Sequence, residues 1–233
     1  MKQKTKLGIT LLAAAATLGL ARPARAQDAT PATTTPAPEA HNWSLLGSGY
    51  SGVAFTYDHV SGASPSEWRG FTFDVNQPLA AGLDFNLAYG WRRASDSAVR
   101  LTQQGISGGV TAFTALDWGK PYVQALAGWE WRDGNGPSDN SFAYTLGTGV
   151  EFQLAPAFVL TPYVNFVRAT SFNSSEVNFG VKTAYRLTKE WSVTAGVQYA
   201  AVRHAKDGTS LMLGVNYHYL DFQFEPPQRA ADG

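Results

Sequence analysis

Any chemistry in this 233-residue chain must be built from four histidines, 18 acidic and 18 basic residues, without a single cysteine. That excludes thiolate nucleophiles, disulfide frameworks and thiolate metal sites. The acids and histidines near polar turn sequences are Asp58, His59, Glu67, Asp133, His204 and Asp207. Catalysis would need a base, its orienting carboxylate and a nucleophile to converge at one place. Asp58 and His59 are adjacent, so on an extended segment their side chains leave opposite faces. His204 stands at a loop edge, where exposed histidine is the ordinary outcome. Glu130 and Arg132, two apart on one face, read as a salt bridge rather than a catalytic dyad. No hydrolase motif, metal-ligand spacing or phosphate loop is present, so the sequence assigns no catalytic residue, no metal ligand and no cofactor.

A second set of charges shares a different property. Asp74, Asp84, Glu151, Lys182, Arg186 and His218 all fall on the minor face of alternating segments. In residues 142–152, Phe142, Tyr144, Leu146, Thr148, Val150 and Phe152 point one way, and Ala143, Thr145, Gly147, Gly149 and Glu151 the other. This period of two is a β-strand pattern. The minor face is too small and glycine-rich for ordinary solvated surface and suits the inside of a narrow barrel whose outside meets lipid. Inward charges must then be paired. The expected arrangement is an interior network of Asp74, Asp84 and Glu151 with Lys182, Arg186 and His218.

The same alternation recurs in residues 51–59, 68–76, 83–91, 121–132, 158–168, 177–186, 191–203 and 211–220, and more weakly in 101–114. With 142–152 this gives about ten strands, or eight if two fail to span, each near the roughly 9–11 residues of a tilted membrane strand. Short connections (77–82, 115–120, 154–157, 187–190) alternate with polar ones rich in Gly, Ser and Asp (60–67, 94–100, 133–141, 169–176, 204–210). The expected fold class is all-β: a transmembrane antiparallel up-and-down β-barrel. Trp68, Trp91, Trp129 and Trp131 stand at strand ends beside the polar loops, and Trp43, Trp118 and Trp191 at the short-turn side. They read as two aromatic girdles at the membrane interfaces.

Outside the strands the chain is simpler. Residues 1–26 carry Lys2, Lys4 and Lys6, an apolar core and Ala24-Arg25-Ala26, the pattern of a cleaved signal peptide for Sec-type export. Residues 27–42 are Pro/Thr/Ala-rich and read as a disordered linker, and 225–233 as a disordered tail. The barrel is expected over 43–224. The leader holds five basic residues and no acid, which leaves 13 basic against 18 acidic residues in the body. That balance, with no basic run, argues against a nucleic-acid partner.

Two strands open alike, with Pro121-Tyr122-Val123 and Pro162-Tyr163-Val164, each just after a short turn. The last strand holds Gly214-Val215-Asn216-Tyr217-His218-Tyr219. Together with the leader, these features resemble the small outer-membrane β-barrels of Gram-negative bacteria, the OmpA/OmpX-like porin-related group. Gly214, Tyr217 and Tyr219 look like that group's signal to the barrel-assembly machinery. Met212 stands where the signal usually has a polar residue, and 221–233 continue past it. The resemblance covers the barrel only, and a peptidoglycan-binding role is not expected from it. The resemblance implies the cell outer membrane, contact with its lipid and lipopolysaccharide, and assembly by that machinery, with a monomer favoured. The function expected is a structural or surface role with the interior largely plugged. The alternatives are a narrow porin-like channel and an outer-membrane lipid-modifying or proteolytic enzyme.

Overall fold

The computed structural model describes residues 43–95, 100–134, 139–203 and 206–220. The expected signal peptide, linker and C-terminal tail, and His204, lie outside the described residues. Ten strands follow in order: β1 Gly49–Val60, β2 Glu67–Ala80, β3 Leu83–Ser95, β4 Arg100–Phe113, β5 Lys120–Asp133, β6 Asp139–Ala155, β7 Phe158–Ala169, β8 Ser174–Arg186, β9 Trp191–Arg203 and β10 Gly208–Leu220. Each pairs antiparallel with its sequence neighbours, and β1 closes on β10. The structure is therefore the expected up-and-down barrel, with ten strands and not eight. Closure leaves no unpaired sheet edge.

The strands reach 12 to 17 residues, longer than a minimal membrane span, because they run on into stretches that read as connections. β2, for example, continues to Ala80, and the turn is only Ala81-Gly82, with Gly82 at φ 77°. That left-handed backbone suits glycine.

The stagger of the barrel is visible in its register. Asp84 pairs with Thr111, Thr111 with Gln124, Gln124 with Gly147, and Gly147 with Asn165. The row continues through Asn178 and Ala200 to Gly208 and Val60. It begins beside a short turn and ends beside a long loop, as strands tilted against the barrel axis require.

Alternation then decides which side chains go where. The outward face is apolar and open: Leu213 is 66% exposed and Val123 60%, with Phe55, Leu146, Phe179 and Leu211 alongside. The inward face carries Asp84, Glu151, Asn76, Asn178, Thr194 and Asn216, all buried. This inverts the distribution of a water-soluble domain.

Candidate functional site

The lumen is where the sequence concentrates polar groups, and its two ends are built differently. At the short-turn end, residues 43–48 precede β1 and fold into the barrel mouth. Trp43, 4% exposed, joins Leu45, Tyr50, Val159 and Ala184 in a buried apolar cluster. Its ring meets His218 edge-on at 5.8 Å. The Glu151 carboxylate accepts hydrogen bonds from the Ser44 hydroxyl and from the Leu45 N–H, the latter at 3.2 Å. On the other side, Gly47 N–H donates to Asp84 Oδ2 at 2.9 Å. Asn76 Nδ2 donates to Ser48 O at 2.7 Å and to Asp84 Oδ2 at 3.0 Å. Lys120 Nζ reaches Leu46 O at 3.4 Å. The segment is thus tied to β2, β3, β5 and β6, and lies across the lumen as a plug. Ionised carboxylates accepting backbone N–H groups make strong, geometrically defined bonds.

This corrects the expected charge network. Glu151, and Asp84 through Oδ2, bind the chain's own N-terminal segment and not Lys182 or Arg186, while Asp84 Oδ1 is buried without a partner among the described residues. Lys182 pairs with Thr161 on β7, which separates β8 from β6, whereas Lys120 is the direct cross-strand neighbour of Glu151. Arg186 donates to Thr188 O at 3.0 Å and Lys189 O at 2.7 Å in its own turn, and its guanidinium lies 5.9 Å from the Trp43 ring. His218 Nε2 is bonded to the Ser192 hydroxyl at 2.9 Å, and Asn216 Nδ2 donates to the same hydroxyl at 3.2 Å. Asp74 and Lys182 face the lumen without an ion pair among the described residues.

Above the plug, side chains fill the space left by inward glycines. Tyr122 lies over Gly149, and Tyr163 over Gly180, where an added Cβ would overlap the ring. Gln124 Nε2 donates to Asn165 Oδ1 at 3.0 Å over Gly147, and Tyr163 donates to Gln198 Oε1 at 3.0 Å. Gly147 and Gly149 thus make room for Gln124, Asn165 and Tyr122, and Gly180 for Tyr163.

The ion pairs are at the opposite end. Arg92 bridges Asp58 at 3.0 Å and donates through Nε and Nη2 to Gln103 Oε1. Gln103 Nε2 donates to Glu130 at 3.1 Å, and Glu130 pairs with Arg132 at 3.6 Å, the salt bridge that their spacing predicts. Arg132 lies 3.8 Å from the centre of the Phe172 ring. Between this chain of contacts and the filled middle is a cavity of about 420 Å³. Of the rim acids and histidines, Asp58 belongs to this network. Glu67 pairs with Arg69 at the surface, and Asp207 accepts from Tyr199 and the Val202 N–H. His59 and Asp133 stand at the exposed ends of β1 and β5.

Two tryptophans depart from the girdle. Trp43 is buried in the plug. Trp68 pairs with Asp58 and Ala94 and so faces the lumen, where Arg92 sits 5.3 Å from its ring. Trp68 is an odd number of residues from Phe71 and Phe73, so it must take the other face. Trp118, Trp129, Trp131 and Trp191 are outward and exposed, and Trp91 stacks on Phe71 outside. In the last strand Gly214 packs inward on Ala54, Tyr217 meets Trp191 outside at 5.1 Å, and Tyr219 reaches Tyr50 O and Asn76 O.

Lys120, Arg92 and Gln103 were missing from the expected site. Each was within reach of the same alternation, since Lys120 shares parity with Tyr122 and Gln124, and Arg92 with Asp84 and Asn86.

No protein-family model and no curated protein matches the sequence. Solved structures that resemble the fold are outer-membrane barrels. The translocator domain of the autotransporter NalP from Neisseria meningitidis is 12% identical, with a TM-score of 0.44 over 77% of this chain and 90% of that one. An outer-membrane channel from Pseudomonas putida F1 is 13% identical, with a TM-score of 0.45 over 78% and 99%. The KdgM porin, solved with disordered oligogalacturonate, is 14% identical, with a TM-score of 0.36 over 72% and 99%. These neighbours do not single out the OmpA/OmpX-like group.

Proposed function

We propose that the chain is an integral outer-membrane β-barrel, related to the small OmpA/OmpX-like group, with a structural or surface role and a lumen shut at its short-turn end. The single observation that carries the closed lumen is the tie of residues 43–48 across the mouth, with Glu151 and Asp84 gripping opposite ends of the segment. The membrane placement is supported by the apolar outward face, which in water would expose far more contiguous apolar surface than a monomer tolerates. The long-loop end then faces lipopolysaccharide and the medium, and the short-turn end faces the periplasm. Export is of the Sec type, and Gly214, Tyr217 and Tyr219 present the strand to the barrel-assembly machinery.

The protein acts without catalysis. Ser192 and His218 are bonded, but both are buried, Asn216 donates to the same hydroxyl, and Trp43 covers the pair. A substrate has no approach to that hydroxyl. The test of the closed lumen is single-channel recording in planar bilayers. The wild-type barrel is expected to give no steady openings, and removal of residues 43–48 to produce them. Steady openings of the wild type overturn the reading in favour of a narrow channel. Membrane placement is checked separately by gel mobility with and without boiling, where absence of a shift counts against a membrane barrel.

A further inference from the structure

The cavity above the plug has a lining that the closed-lumen reading does not use. Five of its hydroxyls, those of Thr56, Thr72, Ser107, Thr145 and Ser210, face inward and take no hydrogen-bond partner among the described residues. Gln198 spends its carbonyl oxygen on Tyr163 and keeps its amide N–H groups for the cavity. Asp58 engages Arg92 through one oxygen, and Glu130 meets Gln103 and Arg132 through one oxygen, so each carboxylate retains a second acceptor. The result is a set of donors and acceptors held on rigid strands and spaced apart among the inward apolar side chains of Ala88, Leu126 and Met212.

We propose that this cavity is a binding site for a small, neutral, polyhydroxylated solute of mono- or disaccharide size. The volume of about 420 Å³ lies in the lower part of the roughly 300–1,000 Å³ range of small-molecule sites. Hydroxyls both donate and accept, so a polyol can satisfy hydroxyl, amide and carboxylate groups at once. An apolar ligand would strand those groups without partners, which costs free energy. An anion would meet two carboxylates, and the single guanidinium in the lining is already bridged to Asp58. A polycation would find one net negative charge, with both carboxylates already engaged by arginines. At Gly90 an added Cβ would meet only the Thr72 methyl group, at 3.8 Å, so the bare backbone there lets a ring approach that wall closely. The site goes beyond the closed lumen and takes from it only the direction of access, through the long-loop end.

The test is calorimetric titration of the full chain, folded in a sugar-free amine-oxide detergent, with sucrose, lactose and D-glucose. Spermidine and citrate serve as charged probes. At least one sugar is expected to saturate at millimolar concentration with one site per barrel. Two lost hydrogen bonds in the Thr145→Val/Ser210→Ala variant weaken that binding roughly tenfold or more. Thr72→Val, which keeps the side-chain shape, gives the same direction should the double variant fail the boiling-shift test for folding. Failure of all three sugars to saturate overturns the proposal. So does unchanged affinity in folded variants, or tighter binding of spermidine or citrate. A barrel that conducts steadily and still binds sugar overturns only the closed lumen; a silent barrel that binds none overturns only the site.

Discussion

Glu151 is the group whose removal should release the plug. Its carboxylate holds Ser44 and Leu45, while its cross-strand neighbour Lys120 balances the charge and reaches Leu46 O. Hydrogen bonds to an ionised acceptor contribute about 1.5–3 kcal/mol each. Taking the lower figure for both, Glu151→Ala costs the closed state about 3 kcal/mol, and Lys120 is left without its nearest acid. Each 1.4 kcal/mol is about tenfold, so the open fraction should rise about 100-fold. Because the chain has no cysteine, a single Leu45→Cys reporter is unique, and Leu45 is buried in the closed plug. Labelling by a water-soluble maleimide then follows the open population wherever reclosure outpaces reaction. The expected result is labelling about 100-fold faster in Leu45→Cys/Glu151→Ala than in Leu45→Cys alone, with Glu151→Gln in between because it keeps an acceptor without the charge. Equal rates in all three, in barrels that pass the boiling-shift test, would refute the latch and leave Asp84, Asn76, Lys120 and the Trp43 cluster to hold the segment.

Arg92→Ala leaves the poorly exposed Asp58 carboxylate and Gln103 without their partner, and the exposure of Arg92 limits the loss to about 1–3 kcal/mol, read as a lower urea midpoint. Arg92→Lys should recover little of it, since a lysine cannot reproduce the fork. Gly180→Ala forces the Tyr163 ring aside and breaks its bond to Gln198, at a cost of about 1–3 kcal/mol that a Gly180→Ala/Tyr163→Ala pair should partly remove in a double-mutant cycle. Brominated lipid should quench single-tryptophan barrels that keep Trp131 or Trp191 and spare those that keep Trp43 or Trp68; quenching of Trp43 would put the plug outside the barrel. The Tyr199 hydroxyl, and then the Val202 N–H, hold the Asp207 carboxyl below its ordinary value of 3.8. A folded value below the unfolded one means the contribution is present above pH 3.8 and lost as the pH falls through the lower folded value. An NMR titration of the Val202 amide with a midpoint at or above 3.8 would contradict this.

The architecture was legible because one rule governs it. A period of two, repeated ten times, assigns each side chain a face, and from the sequence alone it puts Asp84 and Glu151 inside and Phe142 and Leu146 outside. Misplacements came where that rule was not applied or does not reach. Trp68 stands at a strand end, as a girdle residue would, but its parity with Asp74 and Asn76 puts it in the lumen. Glu151, Lys182 and Arg186 all face inward, but parity gives a face and no height. The stagger of the register, with β7 lying between β6 and β8, decides who is adjacent. Residues 43–48 have no periodicity, so nothing in their sequence announces that Ser44, Leu45 and Gly47 are the partners of two buried acids.

That segment matters because of barrel geometry. About eight strands enclose an interior that side chains can fill, and ten enclose more. The surplus can be met by larger residues, by an inserted piece of chain, or by leaving a space, and this protein uses all three along one axis. Trp43–Ser48 closes the short-turn end, and Tyr122, Gln124, Tyr163 and Asn165 occupy the middle over inward glycines. The remaining volume collects below the Asp58–Arg92–Gln103–Glu130 array. Had the plug alone been needed for closure, small apolar residues could have packed the other half at less cost than uncommitted hydroxyls. A cavity lined by hydroxyls that no described protein group engages is the part of the lumen that closure does not explain, and therefore the part to probe with ligands.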